Sequence, residues 1–232
     1  MAFRISSTVV PINVGRYLSK AQDQINQSIS ALSSGSRIVH AGDDAAGFAI
    51  AESLRGQVGG TQQAKFNAQA AVSMVQTAEG GLNEQNNILI RMRELAVYAS
   101  SDTIGDEERQ FLNGEFTQLG EELDRIAKST RFGNKRMLTG SGEKFEFQVG
   151  AFQGEENVIR FTLDANTTAS DLGVEGMEIT AQSQASSNLS TIDEAINRIS
   201  ATRASFGAIQ SRLGHAMNAL AVQAENLDAA RG

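Results

Sequence analysis

The amino-acid sequence predicts a mainly α fold, an elongated, coiled-coil-like bundle of long helices with a small β-hairpin region. Pro11 is the only proline among 232 residues, so no later position obliges a helix to break. Apolar residues recur at helical spacing through most of the chain. One such segment would form a helix about 85 Å long, whereas a compact globule with as many residues as this chain has a radius of gyration of only about 17 Å. We therefore expect a rod.

Composition excludes several classes of function. The chain has no cysteine and two histidines, which leaves no disulfide, no thiolate nucleophile and little for a zinc site. Its net charge is -7 and it has no local basic patch, so we expect no nucleic-acid partner. No window approaches about 18 consecutive apolar residues, and the N-terminus lacks a secretory signal. We therefore expect a soluble chain with no membrane partner and no address for the general secretory route.

The first element is an amphipathic helix. Apolar residues spaced by four, seven, four and three form one stripe, at Val14, Leu18, Ile25, Ile29 and Leu32. A stripe of this kind needs a partner surface. Glycines interrupt the pattern after residue 34, and Asp43 or Asp44 is placed to cap the next helix.

The second element is a long helix from about Asp44 to Ser100, in which one heptad register persists. Its two series are Leu54, Thr61, Ala68, Val75, Leu82, Leu89 and Ala96, and Gln57, Ala64, Ala71, Ala78, Gln85, Met92 and Ala99. Small residues let helices approach closely but bury little apolar area, and several glycines weaken the same stretch. Because such a helix is marginal alone, we expect other copies to cover its seam in an assembly.

A third helix and a hairpin follow. The helix has its apolar stripe at Leu112, Phe116, Leu119, Leu123 and Ile126. We expect it to end near Gly133-Asn134, a pair typical of helix C-termini. Strict alternation at residues 145–149 and 159–163 predicts a β-hairpin with one apolar face. Residues 164–184 are expected to be irregular, with a short strand near Met177 to Thr180.

The last helix is predicted from about Ser186 to Ala230. Its stripe comprises Leu189, Ile192, Ile196, Ile199, Phe206, Leu213, Met217, Leu220, Ala224 and Leu227. Arg203 and Gln210 interrupt this stripe, and polar residues at such positions can fix register or partner choice.

The chain thus divides into four parts. They are an N-terminal helix and link at 1–43, two helices at 44–140, the hairpin and irregular segment at 141–185, and a C-terminal helix at 186–232. The apolar positions that we assign to packing between helices or subunits are Leu18, Ile25, Leu32, Val75, Leu82, Leu89, Leu112, Leu119, Leu123, Ile196, Phe206, Leu213 and Leu220.

No group of residues supports catalysis. His40 and His215 have no patterned nucleophile beside them. The side chains of Asp43 and Asp44 diverge because the residues are adjacent, which suits helix capping better than acid–base catalysis. The glycines from Gly56 to Gly60 follow a helix and carry no Gly-Lys-Ser or Gly-Lys-Thr, so they do not form a phosphate loop. We expect no enzyme activity, no cofactor and no metal.

Six short motifs resemble those of bacterial flagellins, in the family's order and over nearly the whole chain. They are ALSSGSRI at 31–38, AGDDAAG at 41–47, QTAEGGL at 76–82, IRMRELA at 90–96, FQVGA at 147–151 and RASFGAIQSRL at 203–213. The resemblance implies a structural subunit that assembles with copies of itself into the flagellar filament. It implies a minimal form, because little chain is left for outer domains between the hairpin and the last helix.

The resemblance also implies partners and a location. Flagellins pass unfolded through the flagellar type III export apparatus with the help of a chaperone, and they meet the filament cap and hook-associated proteins. The expected location is the extracellular filament of the bacterial flagellum, where the first helix would line the inner tube. If the seam holds subunits together, Leu89→Glu should abolish polymerisation and leave export intact.

A host-receptor site is implied by the resemblance alone. Arg91, Leu95 and Glu115 match positions that animal Toll-like receptor 5 recognises in many flagellins. The residues themselves also allow another interpretation, in which Arg91 and Glu115 form an ion pair between helices and Leu95 belongs to the core.

Two features leave alternatives open. Flagellins normally continue beyond the equivalent of Arg231 with a C-terminal inner helix, so we expect either a truncated chain or a variant that polymerises poorly. Hook–filament junction proteins share the motif at 31–47, which makes a hook-associated protein the first alternative function. A helical adaptor or chaperone that binds one partner helix through the first stripe is the second.

Overall fold

A computed structural model describes residues 9–231, with side chains from residue 12 onward. The parts of the sequence-based interpretation that concern residues 1–8 and 232 lie outside the described residues. The elements in chain order are α1 (Val9–Ser34), α2 (Ala45–Ala99), α3 (Asp106–Ser129), β1 (Arg131–Phe132), β2 (Lys135–Arg136), β3 (Lys144–Gln148), β4 (Val158–Thr162), α4 (Ala169–Leu172) and α5 (Gln182–Arg231). The prediction of a mainly helical fold with long helices and a small antiparallel strand region is confirmed.

The chain separates into two compact units. Unit 1 combines the residues up to 60 with those from 222 onward, and unit 2 comprises residues 61–221. In unit 1, two aspartates fix the link between α1 and α2. Asp44 Oδ1 accepts the backbone N–H groups of Ala46 and Gly47 at 3.1 and 3.0 Å, which caps α2 as predicted. Asp43 accepts a hydrogen bond of 2.6 Å from the Gln27 side chain and so ties the link back to α1.

The core of unit 2 follows the predicted heptads of α2. Every position of both series from residue 61 to residue 99 is buried, whereas Leu54 and Gln57 are half-buried in unit 1. In unit 2 the buried residues of α2 form one apolar cluster with those of α3, the hairpin β3–β4, α4 and α5. The small residues of the seam are therefore covered within a single chain.

The hairpin β3–β4 lies against this core. Its register pairs Phe145 with Phe161 and Phe147 with Ile159. These four residues form the predicted apolar face, on which the two β4 residues are buried and the two β3 residues half-buried. Phe161 meets Phe206 of α5 edge to face, with ring centroids 5.4 Å apart. The hairpin thus closes one side of the helical core.

The predicted end of α3 was wrong. Helix α3 ends at Ser129, where the hydroxyl of Thr130 donates to the carbonyl of Ile126 at 2.8 Å. The Gly133-Asn134 pair instead forms the turn between β1 and β2, and Gly133 supplies the positive φ of +59° that this turn uses.

The strand expected near Met177 to Thr180 is absent. The backbone there bonds to side chains of flanking helices, because Asn113 accepts the N–H of Ile179 at 2.8 Å and Asn188 donates to the carbonyl of Glu178 at 2.8 Å. The regular element in this region is the helical turn α4, whose start is capped by Thr168.

The seam of α5 is shifted slightly from the predicted stripe. Ala195 is fully buried and the larger Ile196 beside it is half-buried. Arg203 and Gln210, which interrupt the stripe, are both half-buried at the edge of the seam. The core therefore takes the small residue at this level and leaves the larger side chain at its margin.

Candidate functional site

The most exposed apolar surface of unit 1 is the stripe of α1. Leu18 is 70% exposed, Ile25 is 52% exposed and Leu32 is 86% exposed, and Val14 and Ile29 continue the same face. The helix has no acidic residue in its first turn and no basic residue in its last. A row of large apolar side chains in water is unusual for a surface that has no partner.

The other predicted seam residues lie in unit 2. Those that are buried there are Val75, Leu82, Leu89, Leu123, Phe206, Leu213 and Leu220. Those that are half-buried against the same core are Leu112, Leu119 and Ile196. The seam positions of the sequence therefore comprise two surfaces: an interior closed by the chain itself, and the exposed stripe of α1.

Gln85 is a polar residue at the centre of the α2 seam. Its side chain is fully buried, and its amide nitrogen donates to the carbonyls of Leu123 and Thr167, each at 3.0 Å. Its amide oxygen is buried without a hydrogen-bond partner among the described residues. Gln85 thus ties α2 both to α3 and to the segment before α4, at the cost of one unsatisfied acceptor.

Arg109 holds the turn between α2 and α3, a role that sequence reasoning missed. Its guanidinium is largely buried and donates to the carbonyls of Ala99 and Ser101 at 2.9 and 3.1 Å, and to Asp106 at 2.8 Å. The last carbonyls of a helix have no partner within the helix, so this side chain satisfies the C-terminus of α2. The only sign of this role in the sequence is that an arginine stands in the first turn of the helix that follows the turn.

Two ion pairs join α2 to its neighbours on the surface of unit 2. Arg91 Nε lies 2.8 Å from Glu115 of α3, and the same guanidinium reaches Glu94 at 3.1 Å. Its hydrogen bond to Glu115 raises the pKa of Arg91 above its usual value. Arg93 pairs with Asp193 of α5 at 2.7 Å.

The structure therefore brings together two of the three residues of the implied receptor site. Arg91 and Glu115 are exposed partners in one ion pair, whereas Leu95 is only 3% exposed and belongs to the core cluster. Any recognition of this surface would contact the charged pair directly, and Leu95 would act by supporting the helix beneath it.

A second buried polar atom lies at the edge of the α5 seam. Arg203 Nε is buried without an acceptor among the described residues, and the guanidinium lies 3.9 Å from Glu79 of α2. This distance is long for an ion pair, so the contact adds little attraction.

Neither a metal centre nor a membrane span is found in residues 9–231. No group of three or more histidine or acidic side chains within this range is arranged to hold an ion. No helix in the same range is long and apolar enough to cross a bilayer. The arrangement of the described residues is one of packing surfaces and ion pairs.

Two family profiles cover most of the chain. The profile of the bacterial flagellin N-terminal helical region matches residues 5–143, and that of the bacterial flagellin C-terminal helical region matches residues 189–232. The chain belongs to the flagellin family. It is a structural subunit of the bacterial flagellar filament, and the resemblance read from its motifs is confirmed.

Individual flagellins agree with this assignment. Flagellin from Halalkalibacterium halodurans is 40% identical over 227 residues, covering 97% of this chain and 83% of that protein. A crystal structure of Bacillus cereus flagellin has a TM-score of 0.60 at 31% identity, covering 72% of this chain and 94% of that one.

A more distant structure shares the fold. It is described as a flagellar hook-associated protein from Vibrio parahaemolyticus, with a TM-score of 0.69 at 12% identity, covering 83% of this chain and 99% of that one. An identity this low supports a common fold and no common role, whereas both profiles and the more similar sequences are flagellins.

Proposed function

We propose that neighbouring copies in the filament cover the apolar stripe of α1. The supporting observation is the exposure of Leu18, Ile25 and Leu32, in contrast to the closed interior of unit 2. Burial of apolar surface contributes roughly 25 cal/mol per Å², so a helix-long stripe can drive association when it meets similar surfaces. The mechanism needs no chemical step, in keeping with a structural protein.

We also propose that the subunit acts outside the cell, after export through the flagellar apparatus with its chaperone. In that setting it would meet the filament cap and the hook-associated proteins at the two ends of the polymer. Family membership supports this proposal, because these are the partners that the role of a flagellin requires.

The test is growth of filaments by the full chain. The gene replaces the flagellin genes of a host strain, and secreted protein is separated from cells and viewed by electron microscopy. Long filaments built from this chain support the proposal. Secreted protein that remains at the junction with the hook would instead favour a hook-associated role, and a stable one-to-one complex with another helix would favour an adaptor.

Recognition by animal Toll-like receptor 5 is a separate proposal. We propose that the receptor contacts the surface around Arg91 and Glu115, whose side chains are both exposed in the subunit. Purified monomer is applied to reporter cells that express the receptor, beside an Arg91→Ala variant and an Arg160→Ala variant, which removes a different surface ion pair, that of the β3–β4 hairpin. The proposal is supported if Arg91→Ala reduces the signal and Arg160→Ala does not. It is contradicted if the unaltered monomer gives no signal even at high dose.

A further inference from the structure

The short hairpin β1–β2 places two like charges face to face. Arg131 lies directly across from Arg136 in the register, and both side chains are exposed. Like charges directly opposite each other on antiparallel strands repel and weaken the pairing. Within residues 61–221, neither guanidinium has a carboxylate partner. The hairpin therefore carries an uncompensated positive charge that its own fold does not need.

Two lysines, one before the hairpin and one within it, are already paired. Lys128 forms an ion pair with Asp124 one turn earlier in α3. Lys135 lies 2.8 Å from Glu143, and its ammonium group sits 4.5 Å from the ring centre of Phe145. Arg131 and Arg136 thus differ from Lys128 and Lys135 in having no carboxylate partner within unit 2.

The hairpin is held firmly at its base. Met137 and Leu138 follow β2 directly and are fully buried, and the N–H of Met137 donates to the carbonyl of Thr130 at 3.0 Å. Fixed backbone at both strands means that the two guanidinium groups project from one defined place. Such a group can bind carboxylates with little loss of backbone freedom.

The far end of α3 carries the opposite charge. Glu107 and Glu108 are exposed in its first turn and have no basic partner among the described residues, whereas Asp106 pairs with Arg109. Helix α3 has 24 residues, so about 36 Å separates its first turn from the hairpin. The side chains at the two ends are therefore too far apart to neutralise each other within one copy.

We propose that the β1–β2 hairpin is a contact between copies of this chain, in which Arg131 and Arg136 of one copy bind Glu107 and Glu108 of another. Unit 2 as a whole has 14 basic and 21 acidic residues, so the arginines are attracted to the unit 2 of a second copy, which is negative overall. Different patches of the two copies meet, and a contact of this type can repeat without closing. It deepens the filament role by naming one attractive contact for unit 2.

The experiment reverses the charges at each side of the contact in the full chain. One variant carries Arg131→Glu with Arg136→Glu, a second carries Glu107→Lys with Glu108→Lys, and a third combines all four changes. The matched control is Lys65→Glu with Arg212→Glu, two exposed basic residues of unit 2 that have no ion pair among the described residues. Thermal unfolding first establishes that each variant folds.

Association is measured as the critical concentration for polymerisation, and by sedimentation equilibrium below it. We expect each reversed pair alone to raise the critical concentration about tenfold or more, an effect equivalent to the loss of about 1.4 kcal/mol. The combined variant, and an equal mixture of the first two variants, should return toward the unaltered chain. The control should stay within about twofold of it.

Restoration in the mixture is the decisive result, because it needs the hairpin of one copy to meet α3 of another. If the mixture and the combined variant stay as weak as the single reversals, the contact is wrong. The same follows if the control weakens association equally, since the effect would then be one of net charge. The unaltered chain measured in parallel reports separately on filament formation itself.

Discussion

Buried side chains in unit 2 decide how its helices meet at the level of single residues. The apolar ones, such as Leu89, fill a core that is closed within one chain. The polar ones set alignment, since Gln85 can donate to the carbonyls of Leu123 and Thr167 only when α2, α3 and the segment before α4 stand at one level. Surface charges such as Arg91 contribute to contacts between helices but are screened by solvent.

Shortening Leu89 should destabilise unit 2 strongly. Leu89→Ala leaves a cavity at a fully buried position, and we expect a loss of about 2–5 kcal/mol in the free energy of unfolding. Ile90→Ala, one residue along and 44% exposed, should cost less than about 1 kcal/mol. Urea unfolding of both variants measures the difference, and equal losses would place Leu89 outside the core.

The same position bears on the Leu89→Glu variant expected to block polymerisation. A charge at Leu89 would be buried in the core of the subunit, so loss of filaments would follow from loss of the fold. That variant therefore cannot distinguish a subunit contact from subunit stability.

Replacing Gln85 should show the value of its two hydrogen bonds. Gln85→Met keeps a similar volume but leaves the carbonyls of Leu123 and Thr167 without this donor, at an expected cost of about 1–3 kcal/mol. Gln85→Glu should cost more at neutral pH, because a carboxylate would face two carbonyl oxygens. Gln76→Met, on the exposed face of α2, is the control. If denaturant unfolding gave both variants the same loss in free energy of unfolding, the role of the Gln85 hydrogen bonds would be refuted.

At the level of elements, each helix depends on contacts at its ends and on close approaches along its length. Helix α3 has three acidic residues in its first turn, and their negative charges interact favourably with the positive end of the helix dipole. Within α3, the hydrogen bond from Arg125 lowers the pKa of Glu122. A carboxylate with a lowered pKa in the folded state stabilises the helix at neutral pH, and this contribution is lost as pH falls through that pKa.

Two adjacent glycines of α2 should respond in opposite ways to alanine. A Cβ at Gly80 would meet nothing within 4 Å, so Gly80→Ala should stabilise α2 by about 0.5–1 kcal/mol through helix propensity. A Cβ at Gly81 would lie 2.6 Å from the hydroxyl oxygen of Thr130 and 2.9 Å from a methyl carbon of Leu138. Gly81→Ala should therefore destabilise by about 1–3 kcal/mol. Thermal melts that moved in the same direction would contradict this packing.

Removing Arg109 should loosen the end of α2. Arg109→Met keeps much of the side-chain length but leaves the carbonyls of Ala99 and Ser101 without this donor, at an expected cost of about 2–4 kcal/mol. Hydrogen exchange should quicken most in the last turn of α2 and the first turn of α3. Arg125→Met, at an exposed arginine of α3, serves as control and should leave exchange in the last turn of α2 unchanged.

At the level of the whole molecule, the chain has one unit with a closed apolar core and another with an open apolar stripe. Unit 2 has a closed core formed by α2, α3, β3–β4 and α5. In unit 1, by contrast, α1 leaves large apolar side chains in water. A filament subunit needs both properties, because it must hold its own fold and still gain stability from its neighbours.

Charges placed on the stripe of α1 should block assembly without affecting the core. We expect Ile25→Glu combined with Leu32→Glu to leave the thermal unfolding of unit 2 unchanged, since both residues are exposed in unit 1. Polymerisation should be lost, because burying two carboxylates against apolar neighbours is costly. Ser19→Glu with Ser30→Glu, at exposed polar positions of the same helix, should polymerise normally. Filaments from the stripe variant would mean that this face is not buried between copies.

The sequence by itself determined the helices, the heptad seam of α2, the apolar face of the β3–β4 hairpin and the family. Periodicity carries this information because a helix or strand must turn one face inward whatever it packs against. Only the tertiary structure decided which apolar stripes are covered within the chain, since Leu89 and Ile25 occupy similar patterns and differ only in their surroundings. The same holds for Gln85 and Arg109, whose hydrogen bonds reach backbone groups contributed by other elements. The tertiary structure also placed Gly133 in a turn and Arg131 opposite Arg136, because strand pairing depends on which backbone segments meet.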